Sequence, residues 1–600
     1  MHRIAVRAIR RKPSVQPSTR TLLRASTRRI PCLASRSYGA GFSSVARYNN
    51  KSSRPEHAIE PLRSSMYIRR FSVALVSSLV GYGAWYSYKG ANPELSSAAA
   101  RGFSSTQTTG DAAPTRTVLV IGADELRTGT VVGDGPLTKV VNGRKVIEML
   151  SPEQVDEKLR ENEESYFVNR GQDIVRYDIT QLASNNPIED DHAEKIVEVP
   201  SKIKGSNEVT DWMFWGVFDG HSGWTTSAKL RNSLINYVAR ELNETYLASS
   251  DETPAASAVE AAIKSGFTTL DDEICHKSVE KVFKENSKTL AADLLAPALS
   301  GSCALLSFYD PQSKLLRVAC TGDSRAVLGR RTDGGKWTAT ALSVDQTGSN
   351  PDEEARMRKL HPDEPKVIHN GRVLGSLEPT RAFGDAVYKW NRDVADRLKR
   401  SFFARTPSPR LLTPPYVTAE PVVTTTKISP ENGDFLVLAT DGLWEMLTNE
   451  EVVGLVGKWL ETHHSTSAAA ASATPSQFDS LWSRLFGSQT QNLPVEKAGA
   501  KAGEGQKTPI RLEQWGISPD EKGRFVVRDE NAATHLVRNA LGGKNAEQVS
   551  ALLTLPSPFS RRYRDDLTVQ VIFFGNGPKN GGVTLNLAAT APTKEPKPKL

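Results

Sequence analysis

The stretch WMFWGVFDGH, residues 212–221, is the most apolar run of the body of the chain, and it ends in an acid, a glycine and a histidine. Its seven leading residues carry no charge and predict a buried β-strand, and Asp219-Gly220 predicts a turn at the strand's end. An Asp-Gly pair after a strand is by default only a turn. The adjacent His221 offers a second interpretation, because a carboxylate, a glycine carbonyl and an imidazole could then face one cavity.

Two further acids stand at the ends of apolar runs. Asp441 follows FLVLAT, residues 435–440, and Asp565 precedes DLTVQVIFF, residues 566–574. If neighbouring antiparallel strands bring these ends to one edge of a sheet, the carboxylates form an all-oxygen pocket. Clustered carboxylates repel one another unless cations neutralise them, and oxygen ligands favour Mg²⁺ or Mn²⁺ over zinc. Asp323, in the turn of a predicted GDSRAV hairpin, could reach the same edge.

The body of the chain mixes short β-branched runs with amphipathic helical patterns. Residues 314–331, KLLRVACTGDSRAVLGRR, predict a strand, a Gly-Asp turn and a returning strand, and residues 151–167 predict a helix. Two longer helices are predicted from residues 225 and 256, because apolar side chains recur there at helical spacing. These apolar positions are Leu230, Leu234, Val238, Leu242, Val259, Ile263, Phe267 and Leu270. We therefore predict an α+β fold in which two antiparallel β-sheets lie face to face and are flanked by α-helices.

The basic surplus of the chain lies at its beginning. The formal net charge is +8, but residues 1–55 hold 13 Lys/Arg and no Asp or Glu, so the remainder carries −5. An Arg- and Ser-rich segment without acids is typical of a mitochondrial transit peptide, which we predict for residues 1–65; a basic tail is the alternative. Elsewhere no Lys/Arg cluster is interleaved with aromatic residues, so nucleic acid is not an expected partner.

An apolar segment follows the leader. Residues 71–88, FSVALVSSLVGYGAWYSY, carry no charged side chain and nearly reach the length that spans a bilayer, with a core or interfacial helix as the alternative. The more basic N-terminal flank would keep the leader in the matrix and put the body across the inner membrane. The predicted divisions are a transmembrane segment at 66–90, a linker at 91–116, a catalytic body at 117–575 with a low-complexity insertion near 462–509, and a disordered tail at 576–600.

Two smaller features bear on the compartment. The four cysteines, Cys32, Cys275, Cys303 and Cys320, lack CxxC spacing, so they predict buried thiols in a reducing compartment. The last three residues, PKL, resemble a degenerate peroxisomal address, or they are the incidental end of a Lys/Pro-rich tail.

Five motifs stand in a fixed order along the body of the chain. They are FDGHSGW at 218–224, GDSRAVL at 322–328, RAFGD at 381–385, ATDGLWE at 439–445 and RDDLTV at 564–569. Their order and spacing resemble the signature of the metal-dependent Ser/Thr protein phosphatases of type 2C. Residues 179–191 and 531–543 are similar to the mitochondrial pyruvate dehydrogenase phosphatase branch of that family. The resemblance covers residues 117–574 apart from the insertion.

The resemblance implies a role for each acid of these motifs. In such a phosphatase two Mg²⁺ or Mn²⁺ ions activate a water that attacks the phosphoserine or phosphothreonine directly, without a phosphoenzyme. By this resemblance Asp219 bridges the two ions, the Gly220 carbonyl binds one of them, and Asp441 and Asp565 complete the carboxylate set. Asp323 binds a third, looser ion. Glu189 and Asp190 hold metal-bound water, and His221 acts as the general acid.

The resemblance also implies a substrate and exposes one departure. The branch points to the phosphorylated E1 subunit of pyruvate dehydrogenase. The family's phosphate-gripping Arg, four residues before the acidic pair, is Asn185 here, as in that branch. The anchor for phosphate is therefore unassigned. Arg176 and Arg381 are weak candidates, and a structural role is the favoured alternative for each.

Alternatives to this function remain open at the level of sequence. One is a catalytically inactive scaffold with the phosphatase fold, although retention of a costly acid cluster argues against it. Another is an active phosphatase with a different mitochondrial or peroxisomal substrate, because a membrane span that arrests import would separate the body from a matrix complex. A metal-dependent nuclease shares the carboxylates but lacks a basic groove.

Overall fold

The computed structural model describes residues 115–122, 126–133, 138–141, 143–201, 209–250, 253–471, 493–496, 509–511 and 523–592. The strands, in chain order, are β1 Thr115–Ile121, β2 Leu126–Val132, β3 Lys139–Val141, β4 Arg144–Glu148, β5 Glu164–Arg170, β6 Ile174–Leu182, β7 Asp191–Pro200, β8 Val209–Phe218, β9 Gly220–His221, β10 Gly301–Ser302, β11 Ala304–Asp310, β12 Leu315–Thr321, β13 Arg325–Arg331, β14 Trp337–Ala341, β15 Ile368–His369, β16 Arg372–Val373, β17 Phe383–Gly384, β18 Val422–Lys427, β19 Phe435–Ala439, β20 Leu567–Phe574 and β21 Lys579–Leu585. The helices are α1 Pro152–Arg160, α2 Thr225–Ala248, α3 Ala256–Asp272, α4 Ser278–Glu285, α5 Lys288–Leu299, α6 Pro351–Leu360, α7 Arg392–Ser401, α8 Asp441–Trp444, α9 Asn449–Ala471, α10 Ala532–Ala540 and α11 Ala546–Thr554. A π-helical turn, Glu273–Lys277, joins α3 to α4.

Two large antiparallel sheets form the centre of the fold. One has five strands in the order β18-β12-β11-β8-β7, and the other has seven in the order β14-β13-β19-β20-β6-β5-β21. Apolar side chains from both sheets form one buried cluster, among them Trp215, Val318, Leu328, Leu438 and Ile572. A core shared in this way means that the two sheets lie face to face. The predicted α+β sandwich is confirmed.

Helices cover the outer faces of the sandwich. The predicted helices from residues 225 and 256 are present as α2 and α3, and all eight of their predicted apolar positions are buried. A Cβ at Gly266 would lie 2.8 Å from the Val238 backbone, so a glycine lets the two helices approach closely. Helices α9, α10 and α11 share a second buried cluster with β19 and β20 of the seven-stranded sheet. Each fully buried aliphatic side chain in these layers contributes roughly 1.5–3 kcal/mol.

Strand β8 is apolar on both sides because both of its sides are covered. Met213, Trp215 and Val217 belong to the cluster between the sheets. Phe214 and Phe218 alternate with them and pack against α2 and α3 in a separate cluster. A strand buried on both faces reads as a continuous apolar run, which is why this stretch stands out in the sequence.

The predicted hairpin around GDSRAV is wrong. Strand β12 pairs with β11 and β18, whereas β13 pairs with β14 and β19 in the other sheet. Gly322, with φ +108°, and the two residues after it therefore form a corner at which the chain crosses between the sheets. Leu316 and Leu328 both point into the core between the sheets, so the two strands face each other across it.

Three boundaries also differ from the sequence prediction. The helix at 151–167 ends at Arg160, since the next residues form β5. The tail, predicted to be disordered, forms β21, which pairs with β5, and Asn531 Nδ2 donates to the Ala589 carbonyl at 3.0 Å. The tail takes part in these contacts through its backbone atoms, so its composition gives no sign of them. Helix α9 continues into the predicted insertion as far as Ala471.

Other predicted segments lie outside the described residues. These are the leader at 1–65, the transmembrane segment at 66–90, the linker at 91–116 up to residue 114, most of the insertion, and residues 593–600. Within the described part of the chain, no helix combines the length and the apolar character that crossing a membrane requires.

Candidate metal centre and active site

Asp219 leaves β8 at one end of the sandwich and is fixed there by its neighbours. Its carbonyl accepts a hydrogen bond from the Cys303 backbone N–H at 2.8 Å, and the next two residues form β9, which pairs with β10. A Cβ at Gly220 would lie 2.0 Å from the Glu189 carbonyl oxygen. The glycine after Asp219 is therefore required by a close approach of two backbone segments.

Three carboxylates converge beside this strand end. One oxygen from each of Asp219, Asp323 and Asp441 lies within 4.8 Å of the other two. Asp323 stands in the corner between β12 and β13, and Asp441 is the first residue of α8, directly after Thr440. The acids thus come from both sheets and meet at one end of the sandwich. The sequence analysis expected them along the edge of a single sheet, and that part of the prediction is wrong.

Asp565 lies near this group but is not one of the three. Its carboxylate forms an ion pair with Arg561 and accepts a hydrogen bond from the Asp566 backbone N–H at 2.7 Å. Its negative charge nevertheless contributes to the raised pKa values of both Asp219 and Asp441. The residue that replaces Asp565 in the tight group is Asp323, which the resemblance had assigned to a looser site.

The acids hold their protons more tightly than isolated carboxylic acids do. Burial, followed by repulsion from neighbouring acids, raises the pKa of Asp219 and that of Asp441 well above the usual value. Burial is also the largest cause that raises the pKa of Asp323 to about 6 and that of Asp565 to about 7. Only nearby cations would favour full ionisation of so many carboxylates.

The donor set of this group fits Mg²⁺ or Mn²⁺. Every ligand offered is a carboxylate oxygen, the type that hard divalent cations prefer, and zinc sites generally include nitrogen or sulfur. The three oxygens are close enough to share ions, and the three residues are partly exposed, so a substrate phosphate could reach them. The group can therefore hold divalent cations at a partly exposed site.

Glu189 and Asp190 stand directly before β7, and the charge of Asp190 contributes to the raised pKa of Asp219. Asp190 is 1% exposed and accepts hydrogen bonds from Thr440 Oγ1 at 2.9 Å and Thr568 Oγ1 at 2.8 Å. Burial, and then repulsion from Asp566, raises the pKa of Glu189. These two acids are thus linked to the strand ends that carry Asp441 and Asp565.

Asp566 organises the loop before Glu189, a role that the sequence analysis missed. Its carboxylate accepts backbone N–H groups of Ser184, Asn185 and Glu189, the latter two at 2.9 Å each. The Asn185 amide also donates to Asp566 Oδ2 at 3.0 Å. The pair of acids in RDDLTV indicates that Asp566 also has a binding partner. It does not indicate which residues bind it.

His221 is held by an acid that the sequence analysis did not single out. Its Nε2 lies 2.6 Å from Asp385 Oδ2, at the end of the RAFGD motif. Burial lowers the pKa of His221, but the charge and hydrogen bond of Asp385 outweigh that effect and raise it. The RAFGD motif indicates that Asp385 has a functional role. Nothing in the motif indicates that His221 is its partner.

The two arginines considered as phosphate anchors are occupied elsewhere. Arg176 forms a bidentate pair with Asp178 at 2.7 and 2.8 Å and stacks over Trp459. Arg381 pairs with Glu353 at 2.8 Å and donates to the Glu420 carbonyl. Both contacts favour the structural interpretation of these residues.

The cysteines of the described residues are buried thiols, as predicted. Cys275, Cys303 and Cys320 are free and buried, and Cys32 lies outside the described part. Burial raises the pKa of each of the three thiols, so none is poised as a nucleophile. Cys303 Sγ donates instead to Asp323 Oδ1 at 3.1 Å and helps to orient that acid.

Comparisons with known proteins show which family the chain resembles over most of its length. The family model described as protein phosphatase 2C matches residues 186–475. The chain is 42% identical over 468 residues to the mitochondrial pyruvate dehydrogenase (acetyl-transferring) phosphatase 1 of Saccharomyces cerevisiae, covering 75% of this chain and 78% of that protein. It is 43% identical over 423 residues to a protein phosphatase 2C homologue of Schizosaccharomyces pombe, covering 70% and 84%. The phosphatase 1 of Bos taurus is 30% identical over 495 residues, covering 71% and 83%.

Proposed function

The chain belongs to the protein phosphatase 2C family, and from this premise we propose that it hydrolyses phosphoserine and phosphothreonine in a mitochondrial protein with the help of divalent cations. As a member of that family it is a protein serine/threonine phosphatase, and its substrates are phosphoproteins. The observation that carries the metal-dependent mechanism is the convergence of three carboxylate oxygens within 4.8 Å.

The proposed cation ligands are the acids around Asp219 and one backbone carbonyl. Asp219, Asp441 and Asp565, with the Gly220 carbonyl, would hold two Mg²⁺ or Mn²⁺ ions, and Asp323 would hold a third. Glu189 and Asp190 would hold water molecules bound to these cations. Cations held at these residues would lower the pKa of a water molecule and offset the negative charge of the phosphoryl group.

The remaining steps belong to side chains of the protein. A water molecule that has lost one proton to the solvent forms a bond from its oxygen to phosphorus, as the bond from phosphorus to the serine or threonine oxygen breaks. The leaving oxygen takes a proton from His221. Because Nε2 of this ring is held by Asp385, the proton for transfer is the one on Nδ1. Asp385 also stabilises the protonated ring, which keeps a proton available near neutral pH.

We propose the phosphorylated E1 subunit of pyruvate dehydrogenase as the substrate. Two relatives that match most of this chain are named as mitochondrial pyruvate dehydrogenase phosphatases, which supports this choice. The names and the composition of residues 1–65 both favour a mitochondrial location. The membrane segment at 66–90 and the matrix or intermembrane position of the body stay predictions from sequence, as does the peroxisomal alternative. We propose that residues 117–575 form the catalytic domain.

Dephosphorylation of E1 by the purified protein tests this function. Phosphate release is measured from phosphorylated E1 and from an unrelated phosphopeptide, each with Mg²⁺, with Mn²⁺ and with excess chelator. We expect release from E1 that requires added cation and stops with chelator. Turnover that survives chelation would contradict the metal-dependent mechanism.

Two other outcomes separate the alternatives. Cation-dependent activity on the phosphopeptide but not on E1 would retain the phosphatase and reject the substrate. No activity on either, with cation binding intact, would favour the inactive scaffold. Protease accessibility of the body in intact and swollen mitochondria decides on which side of the inner membrane it lies.

A further inference from the structure

The position that usually grips phosphate is occupied by a side chain turned into the protein. The amide of Asn185 donates to Asp566 Oδ2 at 3.0 Å, and its backbone N–H donates to the other oxygen of the same carboxylate. An asparagine held in this way fixes a loop and has no positive charge to offer. A positively charged side chain that contacts the phosphate directly must therefore come from elsewhere in the chain, and a guanidinium suits this role because it forms charge-assisted hydrogen bonds to phosphate oxygens.

A guanidinium lies at the rim of the acid cluster. Arg561 is in the 3₁₀ turn Ser560–Arg562, four residues before Asp565, and it forms an ion pair with that carboxylate. Its side chain is 49% exposed. It is thus in contact with one candidate metal ligand, Asp565, and also with solvent, which is the position that a group binding substrate needs.

The charge of Arg561 interacts with several acids of the cluster. The negative charges of Asp565, Asp441 and Asp219 all act on its guanidinium. In the other direction, its positive charge acts on Glu189 as well as on Asp441 and Asp565. One half-exposed cation therefore stands among the proposed metal ligands.

Two other arginines beside this turn, Arg564 and Arg511, already have partners. Arg564 is 1% exposed and donates to the Ala183 carbonyl at 2.7 Å. Arg511 is 11% exposed, pairs with Glu445 at 2.9 Å and donates to the Arg562 carbonyl. Neither has the exposure that would let its guanidinium reach a ligand in solution.

We propose that Arg561 binds the phosphoryl oxygens of the substrate at the cation-loaded acid cluster. The inference rests on the proposed function, because it concerns the phosphate that the site would hydrolyse. Cations held by Asp565 and its neighbours supply the positive charge that now comes from Arg561, so its guanidinium becomes available. Its planar fork then donates two parallel hydrogen bonds to two phosphoryl oxygens.

Binding of inorganic phosphate to the Mn²⁺-loaded protein tests this proposal without relying on turnover. Broadening of the phosphorus NMR line by Mn²⁺ reports phosphate next to the metals, and its titration gives a dissociation constant. For Arg561→Met we expect that constant to rise about ten- to hundredfold, and for Arg561→Lys we expect a smaller rise, because a lysine keeps the charge but not the fork. The matched control is Arg562→Gln, in the same turn, for which the constant should stay within about twofold.

The affinity for Mn²⁺ alone, measured by titration of the same variants, separates phosphate binding from a structural role. Removing Arg561 takes away a cation that competes for Asp565, so Mn²⁺ should bind as tightly as before or more tightly. Weaker Mn²⁺ binding in Arg561→Met, with normal phosphate binding once Mn²⁺ saturates, would overturn the proposal, as would an unchanged phosphate constant. Phosphate binding that depends on Arg561 in a protein that hydrolyses no phosphopeptide would support this site and reject the proposed function.

Discussion

Lys389 Nζ lies 2.7 and 2.8 Å from the two carboxylate oxygens of Asp271, and the two side chains are 3% and 13% exposed. The same carboxylate accepts the Gly384 backbone N–H at 3.0 Å, and Lys389 also donates to the Ala382 carbonyl. This buried ion pair therefore ties α3 to the loop that carries Asp385, the partner of His221.

Removing one member of this pair should destabilise the protein and loosen the active-site loop. For Lys389→Met we expect a loss of about 3–5 kcal/mol in the free energy of unfolding, because Asp271 is left buried without a counterion. Replacing both residues, Lys389→Met with Asp271→Leu, should recover part of that loss. Denaturant unfolding measures these values, with Lys336→Met as an exposed control. If Lys389→Met were as stable as the double variant, the ion pair would not be what stabilises this region.

Replacing Asp219 should remove catalysis and not merely weaken substrate binding. The carboxylate belongs to the group of three acids, and its loss takes several kcal/mol of cation stabilisation from the transition state. For Asp219→Asn we expect kcat to fall about a thousandfold or more at saturating Mn²⁺. Steady-state kinetics against Asp333→Asn, an acid in an exposed turn, provide the comparison. Metal-dependent activity within about tenfold of the wild type would refute a bridging role for Asp219.

The fold and most of the acids were predictable because they depend on local pattern. The buried run before Asp219 and the helical spacing of residues such as Leu230 and Phe267 follow directly from the burial that the fold requires. What the sequence could not show is which strand enters which sheet. The two residues Leu316 and Leu328 are close in the chain, yet they belong to different sheets, and that crossover decides that Asp323 joins Asp219 and Asp441.

Contacts between residues far apart in the chain also could not be predicted from the sequence. Asp385 and His221 are 164 positions apart, and Asp271 and Lys389 are 118 apart, so no local pattern links them. Arg561 looked like an ordinary basic residue beside the RDDLTV motif. Its importance comes from the fold, which brings Asp441 and Asp219 to the turn in which it lies.

Stability should depend on pH through a histidine far from the acid cluster. His535 is fully buried on α10, where its Nε2 faces the Leu455 carbonyl at 3.2 Å and Asn539 Nδ2 lies 3.2 Å from Nδ1. Burial lowers the pKa of His535 from 6.5 to about 4. Between these values the unfolded chain binds a proton that the folded protein does not, so this stabilisation is complete above about pH 6.5 and is lost as the pH falls toward 4.

The size of this effect is on the order of 3 kcal/mol, since each unit of pKa shift corresponds to about 1.4 kcal/mol. The free energy of unfolding is measured from pH 4 to 7 for the wild type and for His535→Gln. Other groups titrate in both proteins, so the difference between the two curves isolates His535. The variant should lose less stability than the wild type on acidification, and parallel curves would rule out a buried neutral histidine as the cause.

Adding one carbon atom at Gly301 should separate His221 from Asp385. A Cβ there would lie 2.1 Å from His221 Nε2 and 2.4 Å from Asp385 Oδ2, and both contacts are far closer than atoms allow. For Gly301→Ala we expect kcat to fall about a hundredfold, because a displacement of about 1 Å misaligns the ring that donates the proton. Gly582→Ala, at an open position in β21, is the control. Since the three atoms nearest to the added methyl group belong to His221 and Asp385, neither of which is a proposed cation ligand, the affinity for Mn²⁺ should stay unchanged. A variant that lost Mn²⁺ binding together with activity would instead mean that the His221–Asp385 pair supports the metal site.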